Sequence, residues 1–454
     1  MVANRTDRAL CDKISAMASN VRAIDALGQE FARTERLSAD ELRVHQAPLL
    51  AKLIDHACRH TDFYKGRLDF DTGQPKSIAR AWSKIPILTR AEAIANGEKL
   101  RSRSTPPEVG AIVDMTSSGS TGMPFRFKRT AETLLADRIL TDRMYRWWRV
   151  DGNKSLAQIA FDNAGEAQTG RTLTTRGWRP ACPNGIKHFL STAFDIDTQL
   201  DWLVALRPNY LGSYSGILKE LALVAQKRGI ELPFELIFSF ATVVDPDVRT
   251  LCRTVFGSEI ADTYGAQEAG HIAAQCGDCG EYHISAERCL LEILRDDGFA
   301  AAPGEIGRAI VTPFYSYAMP LIRYELGDMA EAGAVNPSCG RGLPTVRRIL
   351  GRYRNLFRFR DGTTVWPTPA HFRNFIAGKQ FQVVQTDFDH IEIRYVPESC
   401  DQPIDLPALT QRVRSTLRQP VDVTVRAVDA IPRSRNGKYE DFVSQVPRND
   451  DIAS

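Results

Sequence analysis

Five short stretches of the chain hold residue types suited to handling a nucleotide. Thr116-Ser-Ser-Gly-Ser-Thr-Gly-Met-Pro124 fills every position from Thr116 to Gly122 with a hydroxyl or a glycine. Glycine lets backbone N–H groups approach an anion with no Cβ in the way, and hydroxyls add donors, so such a loop suits a polyphosphate. It is not a Walker A loop, because no Gly-Lys-Ser/Thr follows; a flexible polar loop is the plain alternative. Asp262-Thr-Tyr-Gly-Ala-Gln-Glu-Ala-Gly270 sets Glu268 behind a Tyr-Gly turn that follows an apolar segment, where α/β enzymes place ligand-binding loops. Ile322-Arg-Tyr-Glu-Leu-Gly-Asp328 puts Asp328 at the close of a strand, where a carboxylate accepts from two adjacent hydroxyls or caps a turn. Gly351-Arg352 stands at a change of pattern, and Ile431-Pro-Arg-Ser-Arg-Asn-Gly-Lys-Tyr439 carries Lys438 in a glycine-containing loop. Taken singly, these last two read as an ordinary turn and a solvated lysine.

A sixth constellation is of another kind. Cys276-Gly-Asp-Cys279 is a CxxC knuckle, His283 follows closely, and Cys339 lies in a loop before Gly351. Three thiolates and an imidazole suit one tetrahedral Zn²⁺, with His271 as a competing ligand; unrelated loop thiols are the alternative. Four protein ligands leave no open position, so the metal would be structural. The chain has nine cysteines. An odd number with no signal peptide argues against a disulfide framework, and Cys11, Cys58 and Cys252, among apolar neighbours, read as buried thiols.

The elements that must position these residues alternate. The first hundred residues read as mostly helical. Ser38-Ala-Asp-Glu41 has the form of a capping box, residues 42–59 repeat apolar positions at helical spacing, and Ile85-Pro-Ile-Leu88 runs extended into a helix after Thr89. In the middle, 157–161 and 236–240 read as strands, and 197–206, 217–228 and 245–256 as helices, two of them closed by Gly229 and Gly257, with a turn opening at Tyr210-Leu211. Such alternation predicts α/β layers with parallel pairing. After Tyr282 short strands at 290–294, 307–312 and 320–324 with Gly and Pro turns predict an antiparallel or barrel-like part. Strands at 381–384, 391–396 and 421–428 with a helix at 406–417 predict a small separate α+β module.

Composition narrows the class. With 454 residues, 43% hydrophobic and 25% charged, the chain is an ordinary globular one, too long for a single core. Lys plus Arg is 58 and Asp plus Glu 55, which gives no general attraction to nucleic acid or to a membrane surface. Apolar runs fall well short of a bilayer span, and Met1 to Lys13 is polar, so a cytoplasmic monomer or homodimer is expected.

Taken in their joint order, the five stretches resemble the core motifs of the adenylate-forming superfamily of acyl-CoA ligases, adenylation domains and luciferases. Thr116 to Gly122 matches the phosphate loop, Tyr264-Gly265-Ala-Gln-Glu268 the Tyr-Gly-x-x-Glu motif, and Arg323 to Asp328 the ribose motif. Gly351-Arg352 matches the hinge and Pro432 to Lys438 the C-terminal lysine motif. The resemblance spans about residues 30–445. His56-Ala57, Asp62-Phe63-Tyr64 and Ile85-Pro-Ile-Leu-Thr89 are similar to the phenylacetate–CoA ligase branch and its capsule-biosynthesis-type relatives.

The resemblance implies an α/β fold. A large N-terminal domain (1–351) would combine parallel-sheet layers with a β-rich subdomain, and a small mobile α+β domain (352–454) would carry the lysine loop. It implies that Ser117, Ser118, Gly119, Ser120, Thr121 and Gly122 hold the β- and γ-phosphates of ATP, that Glu268 holds Mg²⁺, and that Tyr264, after which Gly265 follows, lies against the adenine or lines the acyl pocket. Asp328 would bind the ribose with Arg352 nearby, and Lys438 would reach the carboxylate and α-phosphate. The implied reaction turns a carboxylic acid into acyl-AMP and passes the acyl group to a nucleophile. CoA is the default, with a carrier-protein thiol or an amine as alternatives; a non-catalytic nucleotide-binding relative is the rival from another class. Three positions depart from the family pattern: Phe125-Arg126 follows Pro124 in place of a lysine, 240–244 (Phe-Ala-Thr-Val-Val) replaces a Gly-Glu segment, and Tyr353-Arg354-Asn355 follows the hinge arginine. Phe161, Trp178, Phe189, Tyr214 and Phe238 permit an aryl or fatty acid without selecting one.

Overall fold

The computed structural model describes residues 21–68, 75–117, 125–161, 172–179, 182–334, 336–352, 355–365, 375–376, 378–397, 404–431 and 442–446. Ser118 to Gly122, Tyr353-Arg354 and Lys438 lie outside them. The chain divides into two compact units, Met1–Ile349 and Leu350–Ser454.

The first unit opens with helices α1 (Val21–Thr34), α2 (Ala39–His60) and α3 (Pro75–Ala81). The expected capping box starts α2: Ser38 N–H donates to Glu41 Oε2 (2.8 Å) and Glu41 N–H to Ser38 Oγ (3.3 Å), so two otherwise orphaned donors are satisfied. Thr89 caps α4 (Arg90–Ala95), accepting from Glu92 N–H, and α5 (Gly97–Leu100) follows. A hairpin of β1 (Ile112–Thr116) and β2 (Arg126–Thr130) brackets the expected phosphate loop.

One sheet of twelve strands forms the frame. β3 (Leu156–Ala160), β4 (Thr172–Arg176), β5 (Ile186–Ser191), β6 (Tyr210–Ser213), β7 (Leu236–Ser239) and β8 (Ile260–Ala266) make one half, with β5, β3, β6, β7 and β8 mutually parallel and β4 antiparallel at the edge. β9 (Gly270–Gln275), β10 (Tyr282–Ile284), β11 (Cys289–Leu294), β12 (Ile306–Pro313), β13 (Tyr324–Ala332) and β14 (Thr345–Arg352) make the other half, in the order β9-β10-β14-β13-β12-β11, antiparallel where β9 pairs with β8 and β10, β10 with β14, and β12 with β11 and β13. Helix α6 (Ala131–Trp147) packs on one face with Leu156, Tyr210 and Phe238. Helices α7 (Ile196–Leu206), α8 (Ser215–Arg228) and α9 (Pro246–Phe256) pack on the other with Ile159, Leu211 and Ile237. Gly229 (φ +63°) and Gly257 (φ +64°) close α8 and α9 in the left-handed region, as their positions in the sequence predict.

Two expectations are corrected. Tyr210-Leu211 opens no turn; it begins β6, buried between β3 and β7, where a strand covered on both faces shows no alternation to read. The segment 320–324 is not a strand. Pro320 lacks an N–H and Arg323 sits at φ +50°, so extension begins only at Tyr324, and Asp328 lies inside β13 rather than at its end.

The second unit holds a hairpin of β15 (Phe357–Arg358) and β16 (Thr364–Val365), and a four-stranded sheet of β17 (Gly378–Asp387), β18 (His390–Pro397), β19 (Asp422–Ala427) and β20 (Phe442–Ser444) in the order β19-β18-β17-β20. Helix α10 (Leu406–Leu417) buries Leu409, Val413 and Leu417 in the same core as Val383, Ile391 and Ile393.

One polar group in the first core is unusual. Arg143 of α6 and Glu287 are 1% and 0% exposed and pair with each other; Arg143 also donates to Ser285 Oγ (3.3 Å) and lies over the Trp147 ring, while Glu287 Oε2 has no partner. Removing one member leaves a buried charge uncompensated. Glu287→Leu is expected to cost about 3–5 kcal/mol, read from the urea midpoint, and Arg143→Met added to it should recover most of that loss.

Candidate active site

The site is built around a tight turn. Gln267, Glu268 and Ala269 join β8 to β9, and Gly270 takes φ +83° to make the corner. A Cβ on Gly270 would stand 2.7 Å from Arg129 Nη2 and from Asp137 Oδ1, so this position requires glycine for space as well as conformation. The close approach is functional for the fold: His271 N–H donates to Asp137 Oδ1 (2.9 Å), and Arg129 pairs with Asp137 (2.7 Å). The turn is thereby clamped to the first turns of α6.

Inside the turn, the Glu268 side chain is 7% exposed. Its Oε1 accepts from Arg90 Nη1 (3.0 Å) and from the Tyr324 hydroxyl (3.0 Å). Arg90 Nη2 donates to Ser117 Oγ (2.7 Å). Ser117 N–H donates to Phe125 O (2.9 Å) and Phe125 N–H to Ser117 Oγ (3.3 Å), which closes the base of the expected phosphate loop. Phe125 is buried and stacked on Tyr324 at 6.3 Å; it anchors the loop base. Burial, with Glu268 alongside, pushes the Tyr324 phenol far above its usual range, so it stays a donor. Glu268 also borders a shallow pocket shared with Lys128, Arg129, His271 and Arg288. His271 points elsewhere than to the cysteines: its Nδ1 pairs with Ser285 Oγ (3.1 Å), and burial pushes its pKa down to about 4.

A second pair joins two motifs 64 residues apart: the Tyr264 hydroxyl donates to Asp328 Oδ2 at 3.0 Å. Gly265, just after it, sits at a register shift between β8 and β9 where a Cβ would come 2.7 Å from Gly270 O. Arg352 ends β14, half-buried. In the segment 240–244, Ala241 takes φ +62° and Thr242 Oγ1 accepts from Ser215 N–H (2.9 Å), capping the start of α8.

The motifs give no separate role to Arg90, Tyr324 or Arg323, although Thr89-Arg90 has the form of an N-cap and first helical residue and Arg323-Tyr324 lies inside the stretch that ends at Asp328. Arg323 is the anchor. It holds a left-handed backbone and donates from Nη1 to Trp82 O (3.4 Å), Ser83 O (3.3 Å) and Ile85 O (2.7 Å), while Nε and Nη2 each reach Glu292 at 3.2 Å. Leu88 N–H donates to Arg323 O (2.9 Å) and Glu325 N–H to Leu88 O (3.0 Å), so the extended segment before Thr89 is laid along β13 and Arg90 is brought to Glu268.

The knuckle residues are also gathered. The ligand atoms of Cys276, Cys279, His283 and Cys339 all lie within 4.8 Å of one another. His283 Nε2 is 3.7 Å from Cys279 Sγ and 3.2 Å from Cys339 Sγ, and its Nδ1 pairs with Leu343 O at 3.0 Å, which orients the ring. Asp278 N–H (3.4 Å) and Arg341 Nη1 (3.0 Å) point to Cys276 Sγ. Cys276 and Cys279 sit at the tip of the β9–β10 hairpin, and His283 on β10 faces Thr345 of β14. His271 is outside this cluster.

Compared with known proteins, the chain is 25% identical over 349 residues to phenylacetate-coenzyme A ligase of Thermus thermophilus, covering 74% of this chain and 75% of that protein. It is 20% identical over 398 residues to the protein CapK of Staphylococcus aureus, covering 86% of each. No family model matches. Among solved structures, 2-hydroxyisobutyryl-CoA ligase in the postadenylation state superposes with a TM-score of 0.71 over 93% of both chains at 16% identity. The fold is therefore that of the adenylate-forming ligases. Within them the chain resembles the phenylacetate–CoA ligase branch, as its motifs indicate. No described helix is long and apolar enough to cross a membrane.

Arg90 bridges Glu268 and Ser117, the residues expected to hold Mg²⁺ and the ATP phosphates. Arg90→Met is expected to weaken MgATP binding by about tenfold in titration calorimetry, the scale of one lost charge-assisted contact, with Arg90→Lys intermediate. Unchanged affinity in Arg90→Met would confine Arg90 to packing.

Proposed function

We propose that the protein activates a carboxylic acid with ATP, forming acyl-AMP and releasing pyrophosphate, and then passes the acyl group to the thiol of CoA. The observation that carries this is the convergence of Glu268, Arg90 and Ser117 at the base of the phosphate loop, with the Tyr264–Asp328 pair beside it on β8 and β13. The relatives support the acceptor: phenylacetate-coenzyme A ligase in sequence, and 2-hydroxyisobutyryl-CoA ligase in fold, the latter solved with an acyl-AMP and with CoA.

The residues fit these tasks. Ser117 to Gly122 would cradle the β- and γ-phosphates with backbone donors and hydroxyls. Glu268 is a hard oxygen ligand beside a shallow pocket and suits Mg²⁺, which prefers one or two carboxylates plus substrate phosphates and would offset the phosphate charge. Asp328, oriented by Tyr264, would accept from the ribose hydroxyls. When the acid's carboxylate oxygen attacks the α-phosphorus, the bond to the leaving pyrophosphate oxygen breaks and two anions are forced together. Lys438 would bring a compact cation to that point, and the cost of assembling the charges is met by fixed donors. In the second step the thiolate sulfur attacks the acyl carbon and AMP leaves with the bonding pair.

Cys276, Cys279, His283 and Cys339 suit one structural Zn²⁺: soft thiolates and an imidazole in reach of a common centre, the imidazole oriented by a backbone carbonyl. The ion would staple the hairpin tip of β9–β10 to the loop before β14.

The reading is tested by pyrophosphate exchange over a panel of acids. Lys438→Ala should slow acyl-AMP formation by on the order of a hundredfold or more and affect transfer from preformed acyl-AMP much less. Equal loss in both steps would refute a lysine dedicated to adenylation. For the metal, protein purified without chelator should carry close to one equivalent of zinc by elemental analysis, and a Cys276→Ser, Cys339→Ser double variant should lose it and unfold more readily. Active wild-type protein with less than about a tenth of an equivalent removes the site.

A further inference from the structure

The cysteine cluster has a cation built against it. Cys276, Cys279 and Cys339 as thiolates carry three negative charges, so a Zn²⁺ held by them and by His283 leaves the centre with one negative charge in excess. Cys276 and His283 are fully buried and the other two ligands half-buried, and an unbalanced charge in such a place is costly. Arg341 meets it. Its Nη1 lies 3.0 Å from Cys276 Sγ and 3.0 Å from Asp278 Oδ2, and its side chain is 18% exposed. Two other arginines near the cluster are committed or in water. Arg143, over the Trp147 ring, pairs with the buried Glu287, and Arg149, which also pairs with Asp278 (3.2 Å), is 81% exposed.

The arginine is aimed by its backbone and its neighbours, independently of the ion. It stands between Gly340, at φ +74°, and Gly342, whose N–H donates to Glu35 O (3.0 Å) and where a Cβ would run into Leu37 O. Leu343 O, next along, pairs with His283 Nδ1. The loop is thus pinned between the corner joining α1 to α2 and strand β10. The guanidinium carbon lies 5.0 Å from the centre of the Trp147 ring, and the same ring meets His283 edge-on at 5.4 Å while its Nε1 donates to Glu35 Oε2 (3.1 Å). Packed on that ring, a planar guanidinium keeps one N–H on the sulfur at a small entropic cost.

We propose that Arg341 is the counter-charge of the metal centre, a positioning residue that gives an N–H to the Cys276 thiolate, cancels the excess negative charge and so sets how tightly the ion is held. The inference rests on the zinc reading above and adds to it a residue outside the ligand set. A charge-assisted N–H on a thiolate draws electron density from the sulfur, and groups that hold a metal's ligands tune its affinity without touching it.

The test is competition for Zn²⁺ between the full-length protein and a chromophoric chelator at fixed pH and ionic strength. Arg341→Met and Arg341→Gln should each bind zinc about ten- to a hundredfold more weakly than wild type, and Arg341→Lys, which keeps the charge, should stay within about threefold. A second readout uses protein loaded with Co²⁺. The sulfur-to-cobalt charge-transfer band should move to longer wavelength in Arg341→Met, because the Cys276 sulfur loses its N–H, and a merely structural arginine would leave the band in place. Wild-type affinity with an unmoved band in Arg341→Met overturns the proposal. Wild-type affinity in Arg341→Gln, which retains an N–H but no charge, overturns the counter-charge role. Loss in Arg341→Lys equal to that in Arg341→Met does the same and reduces the arginine to packing on Trp147. Wild-type protein that holds no zinc sinks the metal reading, and the inference with it, before any variant is compared.

Discussion

A carboxylate taken out of water must be paired, and the pairing of Glu268 organises the first unit. Its Oε1 draws on Arg90 from the helical opening and on Tyr324 from β13, and through Arg90 on Ser117 at the base of the expected phosphate loop. None of these is close to Glu268 in sequence. Arg323 makes the meeting possible. A non-glycine residue at φ +50° costs free energy, of order 1–3 kcal/mol where the conformation is strained, and here three carbonyls and a carboxylate hold it there. The strain sits where the segment before Thr89 must turn alongside β13, so the backbone distortion and the placement of Arg90 are one feature.

The same strand that leaves the Glu268 turn ends in the cysteine knuckle. β9 begins at Gly270, clamped by Arg129 and Asp137 at the start of α6, and ends at Gln275, whose carbonyl accepts from Trp148 Nε1 (2.8 Å) just past the end of α6. Gly277 lies under the Trp148 ring, with a would-be Cβ at 3.2 Å from it. Helix and strand are thus fixed to each other at both ends. Between those ends the buried Arg143 reaches Ser285, which in turn meets His271. A strand with one end in the Glu268 turn and the other at the cluster of Cys276, Cys279, His283 and Cys339 ties both to the same helix.

Much of this was legible in the sequence because it is local. The capping box at Ser38, the helices closed by Gly229 and Gly257, and the CxxC-to-His283 spacing each depend on residues a few positions apart. What was not legible is long-range or two-sided. β6 is buried on both faces and shows no alternation, so Tyr210-Leu211 resembled a turn. Arg90 and Tyr324 earn their roles only through partners 178 and 56 residues from them. Asp328 sits in mid-strand because the preceding arginine, and not the aspartate, ends the irregular segment.

Position in the sheet also separates side chains tied to several elements from side chains held only by the backbone ladder. Tyr264, Asp328, Tyr324 and Arg90 hang on β8, β13 and α4, where each is tied to a second element and a substitution disturbs several partners at once. The row across β5, β3 and β6 is different. Phe189, Gln158 and Gly212 are register partners across parallel strands, and the carbonyl and amide ladders there do not depend on which side chains stand on the face. Such positions change without unravelling the turn at Glu268. A substitution on the row across β5, β3 and β6 leaves the backbone ladder intact, whereas one at Arg90, Tyr324 or Asp328 breaks a tie between two elements.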